Sequence, residues 1–99
     1  MSCSPDINRL VSDLAEMIAI PSENPPGHET EVARFVAREL EPLGFEIAIA
    51  EYAPDRPNIS ATLRNGPGPV FAFNTHMDTV PVGSGWTPEA LPMTRQGRR

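Results

Sequence analysis

Val70-Phe71-Ala72-Phe73-Asn74-Thr75-His76-Met77-Asp78-Thr79-Val80-Pro81 is the stretch whose reading decides the fold. Its first four residues are apolar, and it lies between the turn-rich Gly66-Pro67-Gly68-Pro69 and Pro81, so it reads as a strand rather than a helix. Open α/β sheets place their chemistry just past the ends of such strands, which is where His76 and Asp78 fall. The expectation is an α/β chain whose most buried strand is 70–75.

Two further strands precede it. Residues 45–52 alternate, with Phe45, Ile47 and Ile49 on one face and Glu46, Ala48 and Ala50 on the other, the pattern of a half-buried strand. Ala53-Pro54-Asp55-Arg56-Pro57 is a turn, and 58–64 alternates again through Ile59, Ala61 and Leu63. Connections this short join antiparallel neighbours, because a parallel crossover needs a dozen or more residues.

Two helices come before the strands. Ser4-Pro5-Asp6 carries start signals, with Ser4 as cap, Pro5 in the first position and Asp6 at the positive end of the dipole. Ile7, Leu10, Val11, Leu14, Met17 and Ile18 follow at helical spacing as one apolar stripe, the mark of a surface helix lying on a core. The proline-rich loop Ile20-Pro21-Ser22-Glu23-Asn24-Pro25-Pro26-Gly27 ends that helix. A second helix runs from His28 or Glu29 to Leu43, with Val32, Phe35, Val36, Leu40 and Leu43 inward and Gly44 as its C-terminal cap. The architecture expected is therefore two helices packed on a mixed, largely antiparallel portion of sheet. Beyond Pro81, the glycine-rich run around Trp86 and the aperiodic 89–99 read as exposed loop.

The totals narrow the function. Ninety-nine residues make at most one small domain with a marginal core. The 8 basic residues, all arginine, stand against 13 acids with no basic block, which argues against nucleic acid as a partner. No apolar run approaches the roughly 20 residues of a membrane span and the N-terminus lacks signal-peptide order, so no membrane association is expected. The lone Cys3 forms no intrachain disulfide and reads as a free surface thiol, in keeping with a reducing, cytoplasmic setting.

His76 and Asp78, at i and i+2 of an extended backbone, project to the same side. A carboxylate beside an imidazole fixes its tautomer, both at metal-binding and at catalytic histidines, although the pair also occurs as a purely structural contact. One histidine and one carboxylate do not complete a catalytic zinc site, which takes three protein ligands. There is no HExxH, no paired cysteines, no phosphate-binding glycine loop and no GxSxG. His28, at a helix start beside Pro and Gly, reads as a solvated or capping side chain, with ligation the minor alternative.

His76-Met77-Asp78-Thr79-Val80-Pro81 with Gly83-Ser84-Gly85-Trp86-Thr87 resembles the first metal-site motif of the M20 metallopeptidases, the group of acetylornithine deacetylases, succinyl-diaminopimelate desuccinylases, aminoacylases and carboxypeptidases. The loop 20–29 resembles the one those enzymes carry after their first helix, and Asn58-Ile59-Ser60-Ala61-Thr62-Leu63 the strand before the motif. The likeness runs in register from about Leu10 to Trp86. It implies a zinc-peptidase-like catalytic domain in which His76 ligates one zinc of a two-metal centre, with cobalt or manganese as alternatives, and Asp78 is the catalytic-site residue orienting it. It further implies hydrolysis of amide bonds in N-acyl amino acids or small peptides: two metals polarise the carbonyl and acidify a water, and a glutamate takes its proton.

The family's bridging aspartate, Glu-Glu pair, late histidine and dimerisation domain have no counterpart here. On that resemblance the chain, 1–99, is expected to be the N-terminal portion of a catalytic domain, inactive alone. Homodimerisation is then expected of the intact enzyme and not of this chain. Two other readings stay open: a non-catalytic interaction module on the same scaffold, and a phosphoesterase, which also places His and Asp at strand ends.

Overall fold

The computed structural model describes residues 4–85. Trp86, the expected loop 89–99 and Cys3 lie outside the described residues. The first helix, α1, spans Ile7–Ala19 and is capped by Asp6, whose side chain accepts from the Arg9 amide at 3.1 Å. The cap thus sits two residues later than Ser4. Asp6 has the extended backbone that a cap requires, and its short carboxylate reaches the third amide of the helix.

The apolar stripe of α1 forms but is only partly covered. Val11, Met17 and Ile18 are half-buried, Ile7, Leu10 and Leu14 stay exposed, and no residue of the helix is buried. The reason is the small surface facing it: Arg9 Nη2 to Glu39 Oε2 at 3.2 Å is its tie to the second helix.

That second helix, α2, spans Thr30–Leu40 and tightens into a 3-10 turn at Glu41–Leu43, ending on Gly44 at φ +98°. Only glycine takes that left-handed conformation without strain, as the C-terminal stop requires. The core lies beneath α2, where Val32, Ala33 and Phe35 are buried. Val36 and Leu40 are half-buried, and Leu43, expected inward, is exposed because the tightened turn rotates it off the packed face.

β1, Glu46–Ala53, and β2, Arg56–Thr62, form an antiparallel hairpin in the register Ile47↔Ala61, Ile49↔Ile59 and Glu51↔Pro57. The connection is tighter than the five-residue turn expected. Ala53 pairs with Arg56, leaving Pro54 and Asp55 as the loop, and Asp55 takes φ 63°. Aspartate tolerates that region better than most residues, and the shift in register between Glu51 and Ala53 absorbs Pro57, which has no amide to donate. Helix α2 lies across this hairpin, mainly against β2. The α/β class, the two helices and the antiparallel sheet are as expected.

The third strand is not formed. Residues 70–75 carry no regular secondary structure and pair with nothing in a sheet among the described residues, and Val70, Phe71 and Phe73 are 89%, 82% and 91% exposed. An apolar strand becomes buried only when neighbouring strands take its amides and carbonyls and other layers cover its faces. Among the described residues neither is supplied, and the rings of Phe71 and Phe73 instead meet edge to face with centroids 5.0 Å apart.

Candidate functional site

What this chain does pair is the end of that stretch. Thr79 makes a parallel bridge with Glu23, the Asn24 amide donating to the Thr79 carbonyl at 2.8 Å and the Thr79 amide to the Ser22 carbonyl at 3.0 Å. The proline-rich loop after α1 is thereby laid against the residues that follow His76 and Asp78. Ser22 and Gly27 in the loop are buried, so the contact is a packed one.

His76 and Asp78 meet as their spacing predicts. His76 Nδ1 lies 3.0 Å from Asp78 Oδ1 and 2.9 Å from the Asp78 carbonyl oxygen. Both oxygens are acceptors, so Nδ1 carries the proton, and in the neutral ring the lone pair is then on Nε2. Among the described residues Nε2 makes no hydrogen bond, and the His76 side chain is 81% exposed.

The other Asp78 oxygen is held as well. Oδ2 accepts from Asn24 Nδ2 at 3.0 Å and lies 3.9 Å from Arg56 Nη2. Arg56 is in turn anchored on Glu29: Nη2 donates to Oε1 at 2.8 Å, and Nε faces both carboxylate oxygens at 3.3 Å. The Glu29 side chain is only 7% exposed, a buried carboxylate satisfied by a forked cation.

These contacts set the charges. The Asn24 hydrogen bond, helped by His76 and opposed by desolvation, holds the Asp78 carboxyl below its ordinary pKa. The hydrogen bond from Arg56 does the same for Glu29, and Glu29 raises Arg56 further above its usual range. Both carboxylates are therefore anions at neutral pH.

A second histidine pair sits nearby in the chain. His28 Nδ1 is 2.6 Å from Asp55 Oδ2, joining the start of α2 to the hairpin loop, where the Glu29 amide also donates to the Asp55 carbonyl at 2.9 Å. The Asp55 carboxyl is lowered by a hydrogen bond from Thr30 and then by His28. His28 thus fastens a turn to a helix start by pairing with Asp55 rather than by capping α2, which has no side-chain cap hydrogen bond.

His76, Asp78, Glu29, Arg56, Asn58 and Phe73 line an open cleft of about 660 Å3 between the hairpin and residues 73–78. Among the described residues no three His, Cys, Asp or Glu side chains are grouped to hold a metal ion. The donor set fits one corner of a zinc site, an imidazole nitrogen with its orienting carboxylate, and not a whole one.

Asn24, Glu29 and Arg56 were not legible as site residues. Asn24 stands in a proline-rich loop, Glu29 satisfies the dipole of α2, and Arg56 sits in a turn; no spacing ties them to Asp78. Their only sequence trace is membership of the loop 20–29 and of the segment leading into the strand at Asn58, the two regions that share the family likeness.

Known proteins show the same likeness. The chain is 47% identical over 64 residues to a succinyl-diaminopimelate desuccinylase of Novosphingobium aromaticivorans, covering 59% of this chain and 17% of that protein. It is 41% identical over 75 residues to the desuccinylase of Rhizorhabdus wittichii, covering 72% and 19%, and 40% identical over 80 residues to that of Sphingopyxis alaskensis, covering 76% and 20%. No protein-family profile and no solved structure matches. Spanning about a fifth of the length of these curated relatives, the chain is similar, over the stretch it shares with them, to succinyl-diaminopimelate desuccinylases.

Proposed function

We propose that this chain supplies one corner of the active centre of a metal-dependent amide hydrolase, with His76 as a metal ligand through Nε2 and Asp78 as the catalytic-site residue orienting it. The observation that carries the reading is the division of labour at His76, a residue of the cleft lining: Nδ1 is occupied by Asp78 at 3.0 Å while Nε2 has no hydrogen-bond partner among the described residues. The names of the relatives supply the reaction class, removal of a succinyl group from an amine, and hence a small N-acyl amino acid as the substrate class. Zinc in a two-metal centre is the proposed cofactor, with cobalt or manganese as alternatives.

When bound, the metal supplies charge that polarises the amide carbonyl and acidifies a water. The residues present do the preparatory work. Asp78 keeps the proton on Nδ1 and stops the ring from turning, so that the exposed Nε2 is presented in one direction. A complete site needs further ligands and a proton acceptor, so this chain alone is proposed to bind zinc weakly and to hydrolyse nothing. The proposed setting is the cytoplasm; no helix among the described residues is long and apolar enough to cross a membrane.

The test joins this chain to the rest of a relative. Residues 10–85 replace the aligned segment of the Sphingopyxis alaskensis desuccinylase, and zinc content and hydrolysis of succinyl-diaminopimelate are measured. The chimera is expected to be active, and His76→Ala in it to lose zinc and activity by two orders of magnitude or more. Unchanged zinc content and turnover in His76→Ala overturns the assignment, while hydrolysis by the homogeneous 99-residue chain overturns its proposed inactivity.

A further inference from the structure

Asp78 has two oxygens, and the structure uses them for different purposes. Oδ1 faces His76 Nδ1, while Oδ2 is occupied by Asn24 at 3.0 Å with Arg56 at 3.9 Å behind it. A carboxylate anchored through one oxygen alone can rotate about its side-chain bonds, and an imidazole resting on it would follow. Holding Oδ2 removes that freedom.

The holders come from two separate parts of the chain. Asn24 belongs to the loop after α1, whose backbone is bridged to Thr79. Arg56 begins β2 and is fixed by Glu29, which stands at the N-cap position of α2 and whose backbone carbonyl accepts the Ala33 amide at 2.9 Å. Gly27 shows how closely the loop is fitted to that arginine: a Cβ there would fall 2.5 Å from Arg56 Nε and 2.7 Å from Cζ, and its φ is +94°. Loop, helix start and hairpin thus converge on one carboxylate oxygen.

We propose that Asn24 and Arg56, the latter braced by Glu29, are positioning residues that clamp Asp78 Oδ2 so that Oδ1 fixes the tautomer and direction of His76. The proposal rests on the reading of His76 as a ligand and assigns a purpose to three residues that this reading leaves unused. Their effect reaches the chemistry through the carboxylate and then the imidazole.

The test reads the tautomer directly, on the full 99-residue chain without metal, by nitrogen-15 NMR of the histidine rings at a pH where both are neutral. His76 is expected to hold its proton on Nδ1 as the majority form. Asn24→Leu, close in size but without the donor, is expected to lose that majority, and Arg56→Gln to do the same. Arg56→Lys is expected to recover part of it, because the ammonium keeps positive charge near Oδ2. His28, fixed on Asp55, reports the fold in the same spectrum. Loss of the His76 preference with His28 unchanged supports the clamp.

An unchanged His76 tautomer in both Asn24→Leu and Arg56→Gln overturns the proposal, as does loss of the His28 signature together with that of His76 in both, which would make these residues supports of the fold only. Where one variant alone disturbs His28, the other decides. The readout needs neither metal nor turnover, so failure of the clamp leaves the hydrolase reading standing. Failure of the chimera test leaves the tautomer result unaffected.

Discussion

Gly27 lies against the guanidinium of Arg56 so closely that a Cβ on it would fall 2.5 Å from Nε. A free arginine would swing aside, but this one is tied to the buried carboxylate of Glu29. Gly27→Ala is therefore expected to cost about 2 to 3 kcal/mol, combining backbone strain at φ +94° with displacement of the ion pair. Gly66, at φ +124° with nothing within 4 Å, isolates the strain, and Gly66→Ala is expected to cost about 1 kcal/mol. Urea unfolding of the two variants checks this; equal costs would show that the guanidinium yields freely.

Removing the cation from Glu29 leaves a charge in a place shielded from water. Arg56→Met is expected to destabilise by about 2 to 3 kcal/mol, at or below the low end for broken buried pairs because Arg56 itself is 38% exposed. Adding Glu29→Leu is expected to recover more than half of that loss, since the buried charge then disappears with its partner. A double variant no more stable than the single one would place the penalty in lost packing instead.

The lowered carboxyls of Glu29 and Asp55 predict the direction of acid sensitivity. A carboxyl whose folded pKa lies below its unfolded value stabilises the fold at pH values above the unfolded one, about 4, and loses that contribution as pH falls through the folded one. These two groups should therefore leave stability level between about pH 5 and 7 and reduce it increasingly below about pH 4. The urea midpoint followed against pH checks this, and Glu29→Gln should flatten the acid limb; an unaltered limb would remove Glu29 from it.

Phe71 and Phe73 meet edge to face in solvent and contribute little to the core. Phe71→Ser with Phe73→Ser is expected to change stability by no more than about 0.5 to 1 kcal/mol, while slowing aggregation at high concentration, because exposed apolar extended segments recruit one another. Light scattering together with thermal unfolding checks both halves. A large drop in the thermal midpoint would show that the pair is covered in solution.

What could be read beforehand follows the range of each interaction. α2 was legible because its stripe, its acidic start and Gly44 all lie within one segment, and the His76–Asp78 contact because an i, i+2 spacing on extended backbone leaves little choice. Asp6 replaced Ser4 as cap by a margin of two residues, the usual uncertainty of helix ends. The burial of 70–75 was misjudged because local composition states what a segment can pack against and not whether the partners are there. Arg56 was invisible for the related reason that its bond to Glu29 spans 27 residues and is decided by how the hairpin lies on α2.

Asn24 and Asp78 are 54 residues apart in the chain, and the bridge beside them fastens the two ends of everything between, helix, hairpin and apolar segment alike. The molecule is in this respect a drawstring bag tied at the mouth, with His76 beside the knot. Closing such a loop depends only weakly on its length, doubling it costing about 0.6 kcal/mol. The connection at residues 65–69 can therefore lengthen or shorten with little effect on the histidine, whereas a change at the knot reaches it directly.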